Sequence, residues 1–96
     1  MKEIVVVEII RAVKGKSKAL QKALEEIVPL SRASKGCLQY DLLLPMNDRE
    51  EFLVLMKFKT LEDLRHHENS KYVEEFVQKY ENVLYSDVLV TEWKKI

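Results

Sequence analysis

Two adjacent histidines, His66 and His67, and one glutamate set in an apolar run, Glu8, are the side chains best suited to proton chemistry in this sequence. Neighbours on a helix diverge by about 100°, so the two histidines cannot chelate one ion together and must be judged separately. Leu61 and Leu64 define an inward stripe, and a step of three from Leu64 lands on His67, whereas His66 points away. A neutral imidazole at that position either hydrogen-bonds a ligand and shuttles a proton near neutral pH, or packs as a satisfied core residue. Glu8 interrupts a β-branched segment. Burial there raises a carboxyl pKa and makes it a base or a proton donor. The alternatives are a salt bridge across a sheet to Lys57 or Lys59, and a contact at the rim of a dimer.

Other reactive types carry less. Cys37, the one cysteine, has no base beside it in sequence and reads as a small core residue; alone it forms neither an intramolecular disulfide nor a multi-thiolate zinc site. Tyr40, Tyr72, Phe58 and Trp93 read as core aromatics, and the acidic pairs Glu25/Glu26, Glu50/Glu51 and Glu74/Glu75 as solvated faces. No Gly-x-Ser-x-Gly elbow occurs, and the two glycines, Gly15 and Gly36, stand too far apart for a phosphate-cradling loop. The 16 basic residues balance the 16 acidic ones with the signs interspersed, so nucleic acid is not an expected partner. The apolar run at Ile4–Val7 meets Glu8 too soon for a signal sequence or a membrane span, which gives the expectation of a cytoplasmic protein with no membrane partner.

The elements that must position these groups follow from periodicity. With 96 residues, 47% of them apolar, the chain reads as one domain over 1–96. Ile4 to Val13 has apolar residues at odd and even positions, as a central strand buried on both faces does. Ser17 is a plausible N-cap for a helix whose inner face is Ala19, Leu20, Ala23, Leu24, Ile27 and Val28, and Pro29 is expected to kink or end it. Cys37–Leu44 and Phe52–Lys59 alternate with period two around the turn Pro45-Met46-Asn47-Asp48, which is a hairpin. Thr60-Leu61-Glu62-Asp63 has the form of a capping box, Asn69-Ser70 caps a second helix with the stripe Tyr72, Val73, Phe76, Val77 and Tyr80, and Val88–Trp93 is a last strand.

This order fits an α+β fold of the ferredoxin-like split βαβ type, a four-stranded antiparallel sheet with helices on one face. The other face also carries apolar residues, including one parity of the first strand, Leu53 and Leu55. A patch of that size calls for a cover, and two sheets packed face to face in a homodimer, a dimeric α+β barrel, supply it.

Val13-Lys14-Gly15-Lys16 before the first helix, Ser31-Arg32-Ala33 leading into Lys35-Gly36-Cys37-Leu38-Gln39-Tyr40-Asp41, the Phe52–Phe58 strand and the spacing His67-x-x-Ser70-x-x-Val73-x-x-Phe76 together resemble the antibiotic biosynthesis monooxygenase domains of the dimeric α+β barrel superfamily. The resemblance covers most of the chain. It implies a homodimer with a pocket in each subunit between sheet and helices, and oxygenation of quinol-like or polycyclic phenols without flavin, haem or metal. His67 stands at the position of the family's common helix histidine. The chain departs from the pattern at Met56-Lys57-Phe58, where many members have an acidic pair and Trp, and at Tyr72, where a second His often follows the Ser. The haem-degrading branch has an Asn and a His where this chain has Glu8 and Val77, so haem chemistry is not expected.

The sequence therefore points to an oxygenase without cofactors acting on a small quinol or phenol, with His67 handling the proton and Glu8, Tyr40, Phe58 and Tyr72 at the pocket. Two alternatives stand beside it. One is a small-molecule-binding or stress-response dimer of the same fold without turnover, since relatives on this fold also isomerise or bind small phosphorylated sugars and signalling molecules. The other is an RNA-binding ferredoxin-like domain, which would need a Lys/Arg-Gly-aromatic segment that is missing.

Overall fold

The computed structural model describes residues 2–96. The β-branched run forms strand β1 (Ile4–Ala12), followed by helix α1 (Ser17–Arg32), strands β2 (Cys37–Leu43) and β3 (Glu51–Phe58), helices α2 (Leu61–Glu68) and α3 (Lys71–Tyr80), and strand β4 (Tyr85–Lys94). The four strands make one antiparallel sheet in the order β2-β3-β1-β4. This is the expected ferredoxin-like α+β arrangement, with the first strand central. No helix among the described residues is long and apolar enough to cross a membrane.

Strand alternation decides which side chains meet the helices. Val6, Ile10 and Ala12 of β1 and Phe52, Val54, Met56 and Phe58 of β3 are buried under them, joined by Leu20, Leu24 and Leu64 from the helices. Glu8 shares this parity, directly opposite Val54 on one side and Val90 on the other. The opposite parity forms the outer face, where Val7 pairs with Leu55 and Thr91, Ile9 with Leu53 and Leu89, and Val5 with Lys57 and Trp93. Within the single chain β1 is thus buried on one face only, and Trp93, read as a core aromatic, is 60% exposed on the other.

Several local expectations change for identifiable reasons. Ser17 is the first residue of α1 and not its cap. The approach to the helix is held from across the fold, because the Glu50 carboxylate accepts from the Gly15 backbone N–H at 2.9 Å and from the Ser17 hydroxyl at 3.2 Å. Glu50, read as solvated, therefore ties the β2–β3 connection to the start of α1. Pro29 neither ends nor precedes the end of α1 by a break; the helix runs through it to Arg32. The ring lies on the exposed side, and the last turn is held instead by the buried Ser31, whose hydroxyl donates to Ile27 O at 2.9 Å, and by Arg32, whose Nε donates to Tyr40 O at 2.9 Å. In β2 a bulge between Cys37 and Gln39 shifts the register, so Cys37 packs against the core while Leu38 turns outward.

In α2 the Thr60 hydroxyl accepts from Asp63 N–H at 3.0 Å, the expected cap, but Leu61 at the helix's first position is exposed and only Leu64 and His67 are buried. Ser70 stands at the N-cap of α3, yet its hydroxyl donates back to His67 O at 2.6 Å and leaves the α3 amides alone. No residue of α3 is fully buried; it rests on the core through Phe76 and Tyr80. Strand β4 starts at Tyr85, earlier than the alternation from Val88 suggested, after a turn in which Asn82 takes a left-handed φ of 62°.

The connection into β2 depends on Gly36. Its φ is +76°, its carbonyl accepts from Lys59 N–H at 2.9 Å, and the Asp63 side chain lies where a Cβ would stand. Gly15, with φ of +80°, has open space at the same place. Gly36→Ala is accordingly expected to lower stability by more than Gly15→Ala, whose loss is limited to the left-handed backbone cost of about 1–2 kcal/mol. Urea midpoints of the two variants check this, and equal losses would show that the Asp63 contact is without consequence.

Candidate active site

His67 reaches the interior because α2 turns Leu64 and His67 toward the sheet and His66 toward solvent. Its residue is 4% exposed. Phe58 at the end of β3, fully buried, lies 5.3 Å from the imidazole, centroid to centroid, and Tyr40 of β2 meets it edge-on at 5.8 Å. Behind it, the Tyr72 hydroxyl from α3 is 2.7 Å from Nδ1. A neutral imidazole nitrogen is a better acceptor than a phenol oxygen, so the phenol donates to Nδ1 and the ring carries its own proton on Nε2. Burial, with His66 beside it, lowers the His67 pKa to about 4. The ring is therefore neutral at physiological pH and a poor base there. It serves as a hydrogen-bond donor through Nε2.

Glu8 projects from the middle of the sheet on the helix side, half-buried. Lys57 is on the other face, and none of the salt bridges among the described residues involves Glu8, so the expected cross-sheet bridge is absent. Burial and the nearby charge of Glu68 raise its pKa to about 7. Tyr40, also buried, has its phenol pushed above the ordinary value by burial, opposed by the Ser31 hydroxyl. It stays protonated.

Glu8, Tyr40 and His67 line one cavity of about 140 Å³ between the sheet and the helices. Its remaining wall is largely apolar: Val6, Ile10 and Met56 from the sheet, Leu24 and Ile27 from α1, and Val73, Phe76 and Val77 from α3. Phe58 and Tyr72, expected as lining, stand outside that wall; Phe58 seats the imidazole from below and Tyr72 holds it from the side, lining instead a second depression between α1 and α3. The structure thus sets Tyr40, Phe58 and Tyr72 around the His67 imidazole and puts Glu8, Tyr40 and His67 on one cavity.

Three participants escaped sequence reasoning. Glu68, the residue after His67, reaches the cavity wall. Arg65 on the same helix donates from Nη1 to Glu68 at 2.8 Å and to Glu92 Oε2 at 2.7 Å, and from Nη2 to Glu92 Oε1 at 2.9 Å, which ties α2 to β4. Tyr85, buried at the start of β4, also lines the cavity and stacks on Phe76 at 5.9 Å. The acid beside the inward histidine was the available signal for Glu68; the pairing of Arg65 with Glu92 depends on a helix-to-strand contact that no local pattern encodes.

The family model described as antibiotic biosynthesis monooxygenase matches residues 3–79. No curated protein matches the sequence. Among solved structures, PA3566 from Pseudomonas aeruginosa is 26% identical, with a TM-score of 0.92 over 100% of this chain and 96% of that one. Protein SO0527 from Shewanella oneidensis is 21% identical, with a TM-score of 0.92 over 98% and 91%. Rv0793 from Mycobacterium tuberculosis is 21% identical, with a TM-score of 0.88 over 98% and 95%. The last two likenesses speak for the fold.

Proposed function

Because the chain belongs to the antibiotic biosynthesis monooxygenase family, we propose that it is a monooxygenase acting on a small quinol or phenol with O2 and no bound cofactor, and that it works as a homodimer. The single observation that carries this reading is the cavity. A largely apolar space between sheet and helices holds one carboxyl that titrates near neutrality and one neutral imidazole fixed as a donor.

The chemistry asks for little more. A hydroquinone gives up one O–H proton to a protein group, and the electron-rich anion passes an electron to O2. The resulting pair combines to form a ring C–O bond and, on regaining a proton, a hydroperoxide. Loss of the ring-carbon proton with cleavage of the O–O bond expels water and leaves a hydroxyquinone. One oxygen atom enters the product, the other leaves as water, and the substrate supplies all the electrons. The protein binds, orients, excludes water and moves a proton.

The dimer rests on the outer face of the sheet. Ile9, Leu53, Leu55, Leu89 and Trp93 form a contiguous apolar surface in the pairing register, opposite the side the helices cover. The polar groups within it are already satisfied: Trp93 Nε1 donates to the Thr91 hydroxyl at 2.9 Å, and that hydroxyl donates to Val7 O at 3.4 Å. A second copy of the same sheet is a symmetric cover for such a face.

Oxygen uptake with a panel of hydroquinones tests the activity. Saturable uptake is expected in the parent chain and in His66→Ala, whose side chain is in solvent, and is expected to be lost in His67→Ala. Equal uptake in the two variants removes His67 from the site, and saturable binding without uptake in the parent assigns the fold to ligand capture without turnover.

A further inference from the structure

We propose that the cavity takes a single-ring hydroquinone, with Glu8 accepting the phenolic proton and His67 holding the other oxygen through Nε2–H. This deepens the monooxygenase reading and rests on it for the oxygen step alone.

Size argues for one ring. The cavity of about 140 Å³ lies between Val6, Ile10 and Met56 on the sheet side and helix residues on the other, and an apolar cavity of about 150 Å³ is known to admit benzene. A fused second ring exceeds it. Polar placement argues for two oxygens. Glu8 stands on the sheet wall and His67 on the helix wall, so a ring lying between them presents one oxygen to each. The two walls offer opposite hydrogen-bonding roles. His67, its Nδ1 occupied by Tyr72, is a donor only, while an ionised Glu8 is an acceptor only.

The assignment of the base follows from what surrounds Glu8 on each side. β2 contributes the Tyr40 phenol, β4 the Tyr85 phenol and Glu92, and α2 His67 and Glu68; the residues of α1, α3 and β3 at the cavity are apolar. Both phenols are held protonated by burial. Glu92 and Glu68 are both engaged by the Arg65 guanidinium, which holds the Glu92 carboxyl below its ordinary range. Glu8 alone is a carboxyl without a cation, and its titration near pH 7 matches proton transfer at physiological pH. In the step, the substrate O–H breaks and an O–H forms on Glu8; the quinolate that results is the species that reacts with O2, and the proton returns when the peroxide anion is protonated. His67 is a positioning residue for the bound oxygen, and the Glu68 carboxylate near Glu8 favours its protonated form.

The test uses methylhydroquinone and 1,4-dihydroxynaphthalene with the full chain, binding measured calorimetrically under nitrogen and turnover by oxygen uptake in air. Methylhydroquinone is expected to bind saturably, the naphthalene diol roughly tenfold or more weaker. Equal or tighter binding of the two-ring diol overturns the single-ring assignment. Glu8→Gln is expected to keep methylhydroquinone binding and lose uptake by ~100-fold or more, while Glu8→Asp retains part of it; His67→Ala weakens binding itself. Parental uptake in Glu8→Gln overturns the role of Glu8. Should the parent chain bind without consuming oxygen, the oxygenase reading fails separately, and the proton role is read from binding. Methylhydroquinone affinity is then expected to change with pH through a midpoint near 7 in the parent and to be pH-independent in Glu8→Gln. An unchanged pH profile in that variant overturns it.

Discussion

Leu55→Asp is expected to sediment as an 11.3 kDa monomer at low micromolar concentration, and the parent chain is expected to sediment at twice that mass. Leu55 lies on β3 directly opposite Val7 of the central strand, in the middle of the outer face and far from the helices. A carboxylate there does nothing to the core under α1 and α2. In a face-to-face pair it is taken out of water without a partner, and symmetry places two such charges in each interface. Each costs several kcal/mol, more than most interfaces of this kind have in surplus. Glu62→Ala, on the exposed side of α2, serves as a control that leaves assembly alone. A parent chain that is a folded monomer removes the barrel arrangement, and a dimeric Leu55→Asp moves the interface to another face.

The two faces of the sheet show how much of this fold is written locally. Alternation in β3 is period two over the whole strand, and a single parity, Phe52 through Phe58, identifies its buried side, whereas β1 is apolar at both parities and its buried side is fixed only by what the helices cover. That is why the strand order of events, the hairpin and the placement of His67 against His66 could be read from spacing. Ends and irregularities could not. The bulge at Leu38 reverses parity within two residues, and nothing in Cys37-Leu38-Gln39 distinguishes it from a regular start. Pro29 is tolerated because its ring faces solvent while the last turn is held by the Ser31 hydroxyl on Ile27 O within the helix and by Arg32 on Tyr40 O of β2.

The site was legible in part for the same reason. Glu8 and His67 stood out because a charge in an apolar strand and an imidazole on an inward stripe are local anomalies. Their convergence on one cavity is a product of α2 packing on the sheet against β3, the neighbour of β1, which spacing alone does not state. The division of labour depends further on partners distant in sequence. Tyr72 fixes the imidazole tautomer, and Arg65 engages Glu68 and Glu92. Without those contacts the histidine is the natural first choice of base; with them, burial has made it the weaker base of the two.

Glu8 and His67 should also impose opposite pH dependences on stability, each hidden by the other in the parent chain. Glu8 has its pKa raised from 4.5 to about 7 in the folded protein. Between those values the unfolded chain has released a proton that the folded chain keeps, so stability falls as pH rises, by about 1.4 kcal/mol per pH unit and about 3 kcal/mol across the window. The contribution is fully present below pH 4.5 and lost above 7. His67 has its pKa lowered from 6.5 to about 4. In that interval the unfolded chain holds a proton the folded chain has released, so stability rises with pH by a similar amount. Its contribution is present above pH 6.5 and lost below 4. The two slopes overlap from 4.5 to 6.5 and cancel there. Removing either group uncovers the other. Relative to the parent, Glu8→Gln is expected to gain about 3 kcal/mol between pH 4 and 8, and His67→Gln to lose about the same. Urea denaturation at fixed protein concentration across this range measures both difference curves, and the surface carboxylates common to all three chains drop out of them. Flat difference curves would mean that neither group is held out of water, and the cavity would then lack the one property that fits it for moving a substrate's proton.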